Sequence, residues 1–284
     1  MVRADLSAAH IYKFIGSSGG DPLVRVLFYI SFSVAMFVTS SAAQTGQPEG
    51  PAANPGRPTV STPATLTPVG YLQFESGVLG ATHSPEFSSS NSFGEVVKLS
   101  VRPRLEFIAS VGPIAHYTAN GKTANGFSDV FLGVQTVLAN GKGARPTLAL
   151  SYFRHIYGGS APNLDIGSPT NSLFLLASAD VKGFHYDANA FINELNEGPV
   201  RRAQYGQTLS VSHPVSGKVS ISGEIWVFTQ PFLHGKAVGN LWALGYTVRR
   251  NLVLDSGFNR GLTGTSTRWE AFVGFTYLLP HRMW

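Results

Sequence analysis

From Val69 onward the chain keeps one pattern: apolar and polar residues alternate with a period of two. Residues 184–193 show it clearly, with Phe184, Tyr186, Ala188, Ala190 and Ile192 interleaved with His185, Asp187, Asn189 and Asn193. Strands send successive side chains to opposite faces, whereas helical spacing would mix the two sets on every face. The alternation recurs in about twelve segments between Val69 and Leu279, separated by turn signals. Short connections near 102–103, 181–183, 214–217 and 249–250 alternate with longer ones near 82–91, 119–126, 157–170, 196–202, 229–239 and 261–266. Residues 139–145 form a longer link on the short side. Strands of roughly ten residues with alternating short and long links are the pattern of an outer-membrane barrel. The predicted fold is all-β: a transmembrane antiparallel up-and-down β-barrel of about twelve strands over 69–284, with both ends on the periplasmic side.

A secreted β-sandwich or lipocalin-like barrel alternates too, burying its apolar face and wetting the polar one. Three features favour the membrane. The polar face is rich in Gly, Ser and Thr and poor in the Lys and Glu that solvate a soluble sheet. Tyr71, Phe184, Tyr186, Tyr205, Trp269 and Tyr277 fall near strand ends, where aromatic girdles meet headgroups. The last strand is amphipathic with outward aromatics, a feature suited to the barrel-assembly machinery, although Pro280–Trp284 extends past the usual aromatic end. Charged residues are only 13% of the chain, which fits an apolar face turned to lipid. The absence of cysteine excludes disulfides, Cys-ligated metals, thiol nucleophiles and a lipoprotein anchor.

Two segments precede the barrel. Val26–Val38 is a 13-residue apolar run after Arg25, followed by Ser41-Ala42-Ala43. It is short for a membrane span and suited to a signal-peptide core, so residues 1–43 are read as an export signal cleaved after Ala43; the alternative is an uncleaved anchor. Residues 44–68 hold six prolines and no hydrophobic period. They are read as a flexible periplasmic segment, with a plug folded into the pore as the alternative.

Asn251–Gly264 followed by Trp269–Tyr277 resembles the closing hairpin of the outer-membrane transporter family named for the meta-cleavage pathway of phenol degradation. Gly126–Val134 is similar to that family's G-x-x-D-x-x-L-G strand. The resemblance covers most of 69–279 and is specific in these two places. It implies an exported barrel in the bacterial outer membrane that takes up small, often aromatic, compounds, without making phenol the ligand here.

Assigning the polar parity to the lumen gives a candidate lining of Glu75, Lys98, Glu106, Asp129, Gln135, Asp180, His185, Asp187, Asn189, Glu224, Asp255, Asn259, Arg268 and Glu270. Its acids outnumber its bases, although the whole chain carries a net charge of +5. Carboxylate rings favour cations, so the expected function is a passive channel for small solutes with an acidic lumen. Phe131, Phe174, Phe191, Trp226 and Phe272 intrude on the polar face and offer an apolar solute a surface, or simply fill space. The alternatives are a closed structural or interaction barrel and an outer-membrane lipid-modifying enzyme. For the enzyme no G-x-S-x-G elbow falls within the barrel region, 69–284. His185 and Asp187 lack a visible third metal ligand, so no catalytic residue, metal or cofactor is assigned. Expected partners are outer-membrane lipids and lipopolysaccharide, a small-molecule solute and the assembly machinery. Nucleic acid is not among them, because the bases lie at turns where they can meet lipid phosphates.

Overall fold

A computed structural model describes residues 50–162 and 168–284. The expected signal peptide, residues 1–43, lies outside the described residues. The strands are β1 (Leu72–Thr82), β2 (Ser89–Arg102), β3 (Leu105–Ala119), β4 (Lys122–Gly126), β5 (Val130–Ala139), β6 (Thr147–Tyr157), β7 (Pro169–Val181), β8 (Phe184–Glu197), β9 (Val200–Pro214), β10 (Val219–Gln230), β11 (Gly235–Arg249), β12 (Leu252–Gly261) and β13 (Trp269–Leu278). There is no helix among the described residues.

Every pairing is antiparallel, and the sheet closes because β1 pairs with β13 on one side and β2 on the other. The ring has twelve strands; β4 is a short extra arm on the end of β3. Closure leaves the ring without an edge, which a lipid environment demands because nothing there can satisfy free backbone groups. The ends where β1 starts and β13 finishes carry short links, and by the usual asymmetry of such barrels this is the periplasmic side.

Tight turns follow local chemistry. Lys182-Gly183 joins β7 to β8 with φ of 50° and 84°, and Asn120-Gly121 joins β3 to β4 with φ of 51° and 72°. Asn and Gly tolerate that left-handed region, whose twist matches the strands of a hairpin. Two connections differ from expectation. Residues 119–126 form this hairpin instead of an open loop, and 196–202 narrows to a turn between Glu197 and Val200. In both places polar residues continue the ladder outside the apolar band, where periodicity gives no signal.

The apolar parity faces outward. Phe107, Leu175, Ile225, Leu244 and Val273 are each more than half exposed on the outer wall. A soluble sheet would hide these side chains at about 25 cal/mol per Å²; here the apolar phase is the bilayer. Unheated protein in mild detergent is expected to migrate apart from boiled protein on a gel. Identical migration would be incompatible with a closed barrel.

The reading of residues 44–68 as a flexible periplasmic segment is corrected for its described part. Residues 53–67 fold into the barrel and are hydrogen-bonded to its inner wall. The segment enters at Ala53, whose N–H donates to Arg250 O at 2.8 Å. It reaches Glu224 with Val60 and Ser61, then returns to Gly70, whose N–H donates to Ser100 O at 2.9 Å. Proline-rich composition deprived it of hydrophobic period, yet an extended chain leaves its N–H and C=O groups free for a polar wall.

Candidate functional site

The inner wall meets the segment residue by residue. Asn54 N–H donates to Gln73 Oε1 at 2.8 Å, and Gln73 Nε2 returns a bond to Asn54 O at 2.7 Å. Glu75 pairs with Lys98 Nζ at 2.6 Å and accepts from Gly56 N–H at 3.0 Å. Arg57 forms a two-pronged pair with Asp255, Nη2 to Oδ1 at 3.1 Å and Nε to Oδ2 at 3.3 Å. The guanidinium occupies a notch made by two glycines: a Cβ at Gly77 would stand 2.5 Å from Arg57 Nη2, and one at Gly274 2.7 Å from Nε.

Glu224 is the densest anchor. It accepts from Val60 N–H at 2.7 Å, Ser61 N–H at 2.7 Å and Ser61 Oγ at 2.6 Å. Ser61 Oγ also lies 2.7 Å from Thr208 Oγ1. Asn189 brackets Thr62, accepting from its N–H at 2.6 Å and donating to its carbonyl at 2.9 Å. Gln135 donates to Pro63 O at 3.0 Å, and Ser178, which itself donates to Asp187, accepts from Ala64 N–H at 2.7 Å. Thr67 donates to Glu106 through N–H, at 2.8 Å, and through its hydroxyl. Carboxylates with several N–H donors hold the strong, charge-assisted class of hydrogen bond.

Aromatic side chains form a continuous row on the wall beyond the segment. Phe153, Phe174, Phe191, Phe228 and Trp226 follow one another with centroid separations of 5.7, 4.9, 5.3 and 4.8 Å. Phe191 lies flat over Gly206 and Trp226 over Gly239, where a Cβ would come within 2.1 and 2.2 Å of the rings. Trp226 Nε1 donates to Asn259 Oδ1 at 2.9 Å, and Asn259 donates to Glu270 at 3.1 Å. Val60, near the tip of the segment, packs against this row and against the cluster of Leu241, Ala243 and Phe272.

Of the residues expected at the lumen, Gln73's neighbours Glu75 and Lys98, and likewise Glu106, Gln135, Asn189, Glu224 and Asp255, gather around the segment. Asp187, Asn259 and Glu270 are buried beside it on the same face. Four residues stand apart toward the ends. His185 bridges Asp180, at 2.7 Å, and Asp187, at 3.3 Å, near the periplasmic turn, where Asp180 is mostly exposed. Asp129 sits just before β5, accepting from Gly159 N–H and Ser168 Oγ. Arg268 is exposed in the connection before β13 and does not line the wall.

The residues missed by sequence reasoning are those of the segment: Asn54, Arg57, Val60, Ser61, Thr62 and Thr67. One signal for them existed. The inner face carried eight acids against two bases, and buried carboxylates need donors. The missing donors are the N–H groups and the guanidinium of residues 54–67.

No family profile matches this chain, and no curated protein matches it in sequence. In three dimensions it is similar to the COG4313 outer membrane channel from Pseudomonas putida F1, with a TM-score of 0.55 at 13% identity over 80% of this chain and 99% of that one. It is also similar to the NanC porin, with a TM-score of 0.50 at 11% identity over 73% of this chain and all of that one. Fold and lipid-facing exterior together define a bacterial outer-membrane β-barrel.

Proposed function

We propose that the protein is a passive channel for small solutes whose lumen is gated by residues 53–67. The observation that carries this reading is the segment itself. It is held by polar bonds to wall side chains and belongs to no strand of the ring, so it can leave without breaking the barrel. Its departure would uncover Glu75, Glu106, Glu224 and Asp255, an acidic lining that favours cations. The aromatic row from Phe153 to Trp226 supports passage of aromatic or hydrophobic compounds, and such an uptake role agrees with the sequence resemblance to the phenol-pathway transporters. The COG4313 channel and the NanC porin share the fold and support a channel in general terms. Contacts with lipopolysaccharide and the assembly machinery belong to the same proposal.

The test is current through planar bilayers containing the full chain. Small steps are expected, with a reversal potential under a KCl gradient that shows cation preference. A neutral aromatic alcohol should reduce the current, while a sugar of similar mass should not. Anion preference would overturn the acidic-lumen reading. Absence of steps from correctly folded protein, with or without the segment, would favour a closed structural barrel, for which the dense lumen bonding is the specific support.

A further inference from the structure

We propose that the outer wall of β6–β9 carries a binding site for the phosphorylated glycolipid of the outer leaflet, the lipid A part of lipopolysaccharide. The site is on the opposite face of the wall from the lumen; it rests on the lipopolysaccharide contact proposed above and not on the channel itself.

The strand register stacks four outward rows across these strands. Arg154, Asn171, Glu194 and Ala203 form the row nearest the outer end. Beneath it run Tyr152, Leu173, Ile192 and Tyr205, then Leu150, Leu175, Ala190 and Gln207, then Leu148, Ala177, Ala188 and Leu209. A charged row above a row holding two tyrosines, above mostly aliphatic rows, reproduces the passage from headgroup to acyl chain.

The polar row is built and held. Asn171 Oδ1 accepts from Tyr152 Oη at 2.6 Å and from Arg154 Nη1 at 2.8 Å, while Asn171 Nδ2 donates to Glu194. Glu194 in turn accepts from Arg201 Nη1 at 3.2 Å. Arg201 remains 77% exposed, so most of its guanidinium faces outward. Arg202 turns away from the cluster, its Nη1 donating to Pro231 O at 2.5 Å and its guanidinium 5.1 Å from the Phe232 ring. Two guanidinium groups, of Arg154 and Arg201, against the single carboxylate of Glu194 leave the cluster net positive.

Space accompanies the charge. A hollow of about 340 Å³ opens among Tyr152, Asn171, Ile192, Glu194, Arg201 and Ala203. A second, of about 580 Å³, includes Ala177, Ala188 and Ala190 between Leu175, Leu209 and Ile225. The alanines make a depression in the lipid-facing wall that an acyl chain fills. Arg154 and Arg201 arise from strands three apart, roughly 14 Å at the usual strand spacing. That span suits a disaccharide phosphorylated at both ends better than the single phosphate of a glycerophospholipid. Guanidinium groups match phosphate oxygens with paired donors.

The experiment uses the full chain in mild detergent and measures binding of diphosphoryl lipid A by native mass spectrometry. One bound molecule is expected, with weaker binding of the monophosphoryl form. Arg154→Ala with Arg201→Ala should lower affinity roughly tenfold for each guanidinium removed, and Ala190→Phe, which fills the groove without touching charge, should lower it as well. Both arginines are exposed, so heat-modifiable migration should be preserved in the double variant. Equal binding of phosphatidylglycerol, capture of inorganic phosphate alone, or unchanged lipid A binding in the folded variants would overturn the proposal.

Discussion

Glu224→Ala is expected to raise single-channel conductance several-fold. Three donors of the inner segment converge on that carboxylate, two of them backbone N–H groups. Hydrogen bonds to a charged group contribute about 1.5–3 kcal/mol each. Losing even one such contribution shifts a seated-to-released equilibrium by at least tenfold. Glu224→Gln keeps an acceptor oxygen and should fall between the wild type and alanine. The measurement is the distribution of current steps in planar bilayers for the three proteins. Equal distributions, with folding confirmed on gels, would mean that the segment does not limit the current.

The second large effect concerns Arg57 and Asp255. Removing one partner of a buried pair leaves an uncompensated charge, at a cost of about 3–5 kcal/mol. Asp255 is the more buried partner, its side chain 2% exposed against 25% for Arg57. Arg57→Ala should therefore lower the temperature at which the folded band converts to the unfolded one by more than Arg57→Lys does. Lysine restores charge without the two-pronged geometry. The double variant Arg57→Ala with Asp255→Ala should recover part of the loss, because no charge is then stranded. A double variant less stable than Arg57→Ala by the full effect of Asp255→Ala would show that the two residues act separately.

The barrel was legible because each wall residue answers to a binary choice, lipid or lumen, and a period of two records that choice. Trp226, Phe191 and Phe174 broke the polar parity in sequence, and each stands on the inner wall with its neighbours as a row. The inner segment was harder to read for a matching reason. Most of its contacts are made by backbone N–H and C=O groups, which every residue except proline carries in full and which leave no trace in composition. Arg57 alone carried a distinctive side chain, and a lone arginine among prolines reads as solvated. The outward Glu194 likewise gave no hint of its place, since it follows the apolar strand face into the headgroup zone where parity no longer separates oil from water.

The link between Arg57 and Asp255 joins residues 198 positions apart. The β1–β13 seam joins residues almost equally distant, Thr82 with Trp269 and Gln73 with Leu278 among them. Both unions wait for the last hairpin of the chain. Long-range contacts form late because the loop between them must first be drawn together. Until β12 is in place Arg57 lacks Asp255, and once β13 meets β1 the segment is enclosed. The strands that close the cylinder, β12 and β13, are thus also the ones that hold Arg57, through Asp255 and the notch at Gly274.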